Sequence, residues 1–373
     1  MLPPRSLRSL PPEGASVASE RPGATDMDAL LTCRPRRRAV LAALGAAALG
    51  GACSPRGAAS GGLRFEGPTM GSRFHVRIAG GPFDATAEAA ARAAIASAFD
   101  DVVARMSTFD PASELGRFNR HASTRPFALS EPMRNVLARA QQVAALSGGA
   151  FDASVAPLVG AWGFGAEASA RGGAPEAAAL AAPVGWRQLQ LDAAAGSARK
   201  AHPALRLDLS GIAKGYAVDR AAAALDALGH ARYMVEAGGE VRTRGLNDEG
   251  RPWQIAIEQP DAWPQQARRI VPLQGLAMAT SGDYRNYWEL AGRRIHHEID
   301  PATRAPADHA LASVSVVHPE CMAADAWATA LFVLGPERGP ALARAQGLAA
   351  LFVVRGAQGA LRDLASPAFE ALA

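Results

Sequence analysis

The stretch that most constrains this chain is Leu205–Glu240, which reads L-R-L-D-L-S-G-I-A-K-G-Y-A-V-D-R, then an Ala-rich run, then Y-M-V-E-A-G-G-E. Leu205, Leu207 and Leu209 alternate as a strand would. Ser210 and Gly211 break that alternation. From Ile212 to Leu228 the apolar spacing becomes helical, and Gly229 stands where a helix C-cap glycine belongs. Tyr233–Val235 reads as a buried strand running into Gly238-Gly239. The unit is therefore strand, tight turn, helix, strand. Such a turn gathers backbone amides at a helix N-terminus, which suits an anion. Asp208 before it and Lys214 after it suggest a nucleotide phosphate with a metal ion. An ordinary strand–helix junction with a solvated lysine has the same local sequence.

Lysine usage adds an independent observation. Lys occurs only at Lys200 and Lys214, and every other cationic side chain is Arg. A compact ammonium at this turn differs from a guanidinium in how it meets a phosphate.

The chain has 373 residues, enough for one large domain or two ordinary ones. Its net charge of +4 is concentrated at the start, where residues 1–52 hold seven Arg and four acids. No basic patch with interleaved aromatic residues is present, which argues against nucleic-acid binding. Cys33 and Cys53 lie in the leader and Cys321 is alone in the body, so the mature chain has neither a disulfide framework nor a CxxC site.

Residues 1–33 are rich in Pro and Ser and read as disordered, with Met27 an alternative start. Arg36-Arg37-Arg38 and the Ala/Leu/Gly run to Ala52 form a charged region followed by an apolar one too short to span a bilayer. Arg37-Arg38-x-Val40-Leu41 fits a twin-arginine export signal. Cys53 after Gly-Gly-Ala resembles a lipoprotein cleavage site, although Leu49 is one place too far upstream. The expectation is an exported protein on the periplasmic side, either freed by simple cleavage or anchored to the inner membrane through a lipid at Cys53. Residues 1–62 are read as leader, signal and tether, and residues 63–373 as one domain.

Within that domain, helices are expected at Ala85–Met106, around Ser113–Asn119, at Ser130–Leu146, Ala323–Leu334 and Ala341–Gly347. Strands are expected at Phe74–Ile78, across a Trp186–Ala201 hairpin, and at Trp253–Glu258, Arg269–Val271, Arg293–Glu298, Ala312–Val317 and Leu351–Val354. Asp325 and Thr329 share one helical face through their i, i+4 spacing. A carboxylate and a hydroxyl suit a hard cation such as Mg²⁺, and the same spacing also occurs in solvated pairs. Gly148-Gly149-Ala150-Phe151-Asp152 and Leu158-Val159-x-x-Trp162-Gly163-Phe164-Gly165 suggest either a cleft wall for a planar ligand or a hydrophobic plug.

Taken in order, several separated motifs resemble those of the ApbE family, the FAD:protein FMN transferases. They are Thr69-Met70-Gly71, Met106-Ser107-Thr108-Phe109, Gly149-Ala150-Phe151-Asp152, the Leu158–Gly165 segment, Leu207–Asp219, Val235-Glu236-x-Gly238-Gly239-Glu240, Ala279–Asn286, Ile299-Asp300-Pro301 and Ala324-Asp325-x-x-x-Thr329. The resemblance spans roughly Gly67 to Gly335. It implies an α+β fold related to the T-fold, with mainly antiparallel sheets flanked by helices and FAD between two intertwined lobes. It implies FAD contacts from Met70, Phe109, Ala150, Phe151, Asp152, Asp208, Lys214 and Ile299. It further implies one Mg²⁺ held by Asp325, Thr329 and the carbonyl of Gly211. The implied reaction moves FMN from FAD onto a threonine hydroxyl of a partner protein and releases AMP, with Lys214 stabilising charge and His297 as the base. Implied acceptors are flavin-bearing subunits of sodium-pumping NADH:quinone reductase or Rnf-type complexes, or exported FMN-binding domains. Phe109 stands where the family often has Tyr, Gly211 where it often has Ala or Ser, and Glu298 and Arg304 replace a small polar residue and a Gly. The rival readings are an FAD pyrophosphatase, a periplasmic flavin-binding lipoprotein and an electron-transfer flavoprotein.

Overall fold

The computed structural model describes residues 62–170 and 172–372. The export signal, Cys33, Cys53 and Met27 lie outside these residues. Its first half contains β1 (Leu63–Thr69), β2 (Ser72–Ile78), α1 (Ala85–Met106), α2 (Glu114–Arg120), β3 (Phe127–Ala128), α3 (Glu131–Leu146), α4 (Ala156–Ala161), α5 (Ala177–Leu180), β4 (Leu189–Asp192), β5 (Ser197–Lys200) and α6 (Ala213–Ala227). The second half contains β6 (Tyr233–Ala237), β7 (Glu240–Arg244), β8 (Trp253–Glu258), β9 (Ala267–Leu273), β10 (Ala277–Gly282), β11 (Tyr287–Leu290), β12 (Arg293–His296), β13 (Ile299–Asp300), β14 (Ala305–Pro306), β15 (Leu311–His318), α7 (Cys321–Ala345), β16 (Ala349–Arg355), β17 (Leu361–Ala365) and α8 (Pro367–Glu370).

Eight strands form one antiparallel sheet in the order β1-β2-β6-β7-β10-β15-β16-β17. Strand periodicity explains how its central part is covered on both sides. Ala277 and Ala279 of β10, Val314 and Val316 of β15, and Ala350, Phe352 and Val354 of β16 join the large core under the helices. The intervening Met278, Val317 and Leu351 join a second core with Ile257, Val271 and Leu273 of the β8–β9 hairpin. Both faces of β15 are therefore buried, and its residues 311–317 are all inaccessible. On the helical face, α7 lies against β10, β15 and β16 and alongside α6, and α6 lies against α1. The fold class is the expected mixture of helix with antiparallel sheet.

Helices whose ends carry local signals follow the sequence closely. Asp84 caps α1, Ser113 caps α2 and Ser130 caps α3, each accepting a backbone N–H of the first turn. At the end of α6 the amide of His230 reaches Leu225 O at 3.1 Å and that of Gly229 reaches Asp226 O at 3.0 Å. That is a Schellman ending, and Gly229 takes the left-handed φ it requires.

One expectation is corrected. Residues 205–209 are extended but pair with no strand. Their leucines are buried, and the backbone of Leu207 bonds instead to the Asn119 side chain, through Nδ2 to O and N to Oδ1, both at 2.8 Å. Asp208 N donates to Ala153 O at 2.7 Å. Side-chain and loop partners thus replace a ladder. The two C-terminal helices read from the sequence are both present: α7 is two helical segments that meet at a kink at Gly335 (φ 81°, ψ −178°), directly after the expected end at Leu334, and Pro336 and Pro340 lie in the second segment.

Two histidines act as struts across the helix–sheet boundary. His296 donates from Nε2 to Ala307 O at 2.8 Å while its Nδ1 accepts from Glu298 N at 3.3 Å. His309 donates to Phe332 O at 2.7 Å and accepts from Leu311 N at 3.3 Å. Both rings meet Phe332 edge-on, with centroids 5.6 and 5.1 Å away. Each uses one nitrogen as donor and the other as acceptor, so each is held neutral. Burial lowers the pKa of His309 and brings that of His296 down to about 4. The unfolded chain therefore binds more protons between pH 4 and the ordinary histidine value. Stability is full above about pH 6.5 and falls as pH drops toward 4. Denaturant unfolding at pH 7 and pH 5 should show a loss of about 2 kcal/mol attributable to His296, and His296→Gln should flatten that slope.

Candidate functional site

The site is built where α6 and α7 touch. Gly215 makes this possible: a Cβ there would stand 2.4 Å from Cys321 O and 2.8 Å from Asp325 Cβ. The two helices are also fastened end to side. Asp219 of α6 accepts the amides of Cys321 and Met322 at 3.0 and 2.9 Å, capping α7 from a neighbouring helix, and its other partner is Arg242. α7 has no side-chain cap from its own N-cap residue, so this tertiary cap fixes where Asp325 and Thr329 begin their turns.

Asp325 is buried, and its Oδ2 accepts Gly215 N at 2.9 Å. One turn on, Thr329 Oγ1 is 3.0 Å from Ser281 Oγ of β10. Gly211 packs into the same place, since a Cβ there would lie 2.9 Å from Thr329 Oγ1 and 3.4 Å from the Phe151 ring. The structure thus brings together the three residues expected to hold a metal, with Phe151 against them. The turn itself differs from the expected nest of free amides. The amides of Ser210, Ile212, Ala213 and Gly215 already bond to Asp208 Oδ1, Leu209 O, Leu209 O and Asp325 Oδ2. Attraction for an anion here rests mainly on the Lys214 ammonium.

Lys214 is ion-paired to Glu240 at the start of β7. Burial opposes its charge, but the carboxylates of Glu240 and Asp325 outweigh that and hold its pKa above the ordinary lysine value. It stays an ammonium at any working pH. Glu240 is almost fully buried, and its Oε2 has no hydrogen-bond partner among the described residues. Burial pushes the Glu240, Asp325 and Glu298 carboxyls upward, with Lys214 pulling each of them back. Three buried acids thus lie around one lysine, burial drives them toward the protonated form, and a bound cation would favour their ionised form. Glu240 and Ser281 stood only within motifs and Glu298 only as a departure from the family pattern, and none was given a role from sequence. Their role depends on burial, which sequence spacing does not encode.

His297 follows β12 and is partly exposed. Its Nδ1 lies 3.3 Å from Asn286 O, its Nε2 is 3.8 Å from Glu298 Oε1, and its ring is 6.2 Å from that of Phe164. Ile299 is buried in the next strand. His296, its neighbour, points to the opposite side and is the strut already described.

The other expected contacts differ in burial and in their partners. Met70 sits in the β1–β2 turn with φ 45°, a left-handed conformation that a long side chain rarely takes. Phe109 is 72% exposed on the loop after α1, with its amide held by Ser107 Oγ. Phe151 is buried and Ala150 is half-buried. Asp208 is partly exposed, and Gly165 comes within 4.0 Å of its Oδ2 when given a Cβ. Asp152 differs from the rest: Oδ1 accepts Ser154 N and Oγ, and Oδ2 accepts Trp186 N at 2.7 Å. Both its oxygens hold the loop together. Lys200 is buried 4.7 Å over the Phe118 ring and donates to Asn119 O. It supports the residue that clamps Leu207, so both lysines of the chain serve this region.

The ApbE family model matches residues 70–352. A curated relative from Klebsiella pneumoniae (strain 342), an FAD:protein FMN transferase, is 38% identical over 337 residues, covering 88% of this chain and 95% of the relative. One of the same description from Vibrio cholerae serotype O1 is 40% identical over 310 residues, covering 83% and 92%. The solved flavin transferase ApbE of Vibrio cholerae superposes with a TM-score of 0.76 at 37% identity, covering 84% of this chain and 99% of that one. The apo flavinyl transferase ApbE of Pseudomonas stutzeri gives 0.75 at 38% identity, with 84% and 96% covered.

Gly215→Ala tests the helix contact. Its methyl meets backbone atoms, which cannot swing aside, so α6 and α7 must separate. The expected cost is about 1–3 kcal/mol in denaturant unfolding, whereas Gly173→Ala, where a Cβ meets nothing within 4 Å, should cost far less.

Proposed function

The chain belongs to the ApbE family, and we propose that it transfers FMN from FAD to a threonine hydroxyl of a partner protein with the help of Mg²⁺. Transfer of FMN from FAD to a protein is the activity its relatives are named for. The observation that carries the finer reading is the convergence of Asp325, Thr329 and Gly211 beside Lys214.

The donor set suits a magnesium ion. Asp325 offers one carboxylate, Thr329 a hydroxyl and Gly211 a carbonyl, all hard oxygens, and phosphate oxygens and water would complete the coordination. No group of three His, Cys, Asp or Glu side chains among the described residues forms a denser metal site, so the substrate is left to supply ligands. The absent Cβ at Gly211 leaves the space beside Thr329 Oγ1 open, and a bound cation would favour the ionised form of the buried acids. When bound, Mg²⁺ would supply charge neutralisation at the FAD pyrophosphate.

The side chains then divide the work. The attacking threonine oxygen forms a bond to the phosphorus on the FMN side, and the bond to the bridging oxygen breaks. AMP leaves with that oxygen. Lys214, held cationic by Glu240, stabilises the charge that grows on the pyrophosphate. His297 accepts the threonine proton at Nε2 while Nδ1–H faces Asn286 O. Phe109, exposed on the loop after α1, and Met70, in the β1–β2 turn, offer side chains suited to the flat faces of the flavin or adenine rings.

The acceptors we propose are flavin-bearing subunits of sodium-pumping NADH:quinone reductase or Rnf-type complexes, or exported FMN-binding domains. Export through the twin-arginine segment and lipid attachment at Cys53 would place the enzyme on the periplasmic side with them. No helix among the described residues is long and apolar enough to cross a membrane.

Intact-mass spectrometry of such an acceptor domain after incubation with FAD and Mg²⁺ tests this reading. The expected product carries one FMN on threonine, and none forms when that threonine is Val. His297→Asn should lower the rate by about 100-fold or more while FAD binding persists. Free FMN and AMP with no adduct would instead support a pyrophosphatase.

A further inference from the structure

Trp263 stands at the tip of the β8–β9 hairpin and is 90% exposed. A single exposed apolar side chain requires no explanation by itself. What sets this one apart is how firmly its loop is held, and to what.

Two residues earlier, Asp261 Oδ2 accepts from Arg355 at 3.1 Å (Nε) and 2.8 Å (Nη2), and Asp261 Oδ1 pairs with Arg294 Nη2 at 3.0 Å. Arg355 also grips the buried Asp283 with two parallel bonds of 2.7 Å, and Arg294 reaches the same carboxylate at 3.4 Å. At the base of the tip, Gln259 N bonds to Gln266 O at 2.8 Å, while Glu258 accepts from Tyr284 OH at 3.1 Å and pairs with Arg285. Apart from the rung across the hairpin, these ties lead to the segment 283–297, directly or through Arg355. That segment ends in His297, three residues after Arg294. Arg294 also lies 4.2 Å over the ring of Tyr287, which is itself partly exposed and pairs across β11–β12 with His296. The tip is therefore clamped to the edge that carries the proposed base.

We propose that Trp263, with Tyr287 beside it on the same clamped segment, is the anchor on which the FMN-acceptor protein docks. The occupant is an acceptor whose surface offers an apolar pocket for an indole close to its reactive hydroxyl. This rests on the transferase reading. FAD needs only the cleft, whereas a hydroxyl borne on a folded protein reaches His297 only when that protein seats against the surrounding rim. Trp, Tyr and Arg are the side chains that dominate such contacts, and a preordered anchor loses little entropy on docking.

The test uses the enzyme with the soluble domain of a flavin-bearing subunit of a sodium-pumping NADH:quinone reductase as probe. Steady-state transfer is measured against acceptor and against FAD for the wild type, Trp263→Ala and Trp263→Phe. The Ala variant should raise the KM for acceptor by about 10- to 30-fold, with the KM for FAD and the kcat at saturating acceptor unchanged. The Phe variant should recover part of that loss. Because the side chain is exposed, the thermal midpoint should not move. An unchanged acceptor KM in an active Ala variant overturns the proposal and leaves the transferase reading intact. Absence of transfer by the wild type defeats the underlying reading, and the docking proposal with it. Concentration-dependent dimerisation of the wild type that the Ala variant abolishes, with acceptor KM unaltered, would assign Trp263 to a second copy of the chain instead.

Discussion

The close approach of α6 and α7 is the constraint on which the rest of the site depends. It exists because position 215 has no side chain and because Asp219 caps the neighbouring helix. With that contact made, Asp325 meets the first turn of α6, Thr329 meets Gly211, and Lys214 is left among carboxylates. Burying three acids around one lysine is unfavourable unless further positive charge arrives. The protein tolerates this in a fold with large apolar cores on both faces of its central sheet. Protonation of these acids limits the cost, and a bound cation would draw them back to the ionised form.

Two adjacent histidines, the last residue of β12 and the one after it, have opposite tasks. His296 turns inward, is locked as a neutral donor–acceptor between Ala307 and Glu298, and packs on Phe332. His297 turns outward toward Asn286 and Phe164. The strut thereby fixes the direction of its neighbour. Glu298, the next residue, turns inward again and adds to the buried acid around Lys214. The substitution that set this loop apart in the sequence is thus part of the site's charge balance.

Much of this was readable where the determinants are local. The span of α1 follows from its spacing and its Asp84 cap, and the shared face of Asp325 and Thr329 follows from helical geometry alone. What sequence missed depended on partners far along the chain. Leu205–Leu209 has the alternation of a strand, but its backbone is satisfied by the Asn119 amide 88 positions away from Leu207. β7 went unread because Glu240 looks like a solvated residue after a glycine turn, yet it is buried against Lys214. β17 is short and half-exposed, so its pattern is faint. The helix read as ending at Leu334 does end there, at the positive φ of Gly335, whereas the segment after it begins sooner than the expected Ala341. Family resemblance supplied the identity of the ligand, which no spacing in the chain specifies.

The most direct test of the central claim is the linkage between Mg²⁺ and FAD binding, measured by isothermal titration with and without the metal in the wild type and in Asp325→Ala. If the α6–α7 junction holds the cation at the pyrophosphate, Mg²⁺ tightens FAD binding to the wild type by at least about 10-fold, and that coupling disappears in the variant while a weaker, metal-independent affinity remains. Equal tightening in both proteins would place the metal elsewhere and contradict the role of this junction.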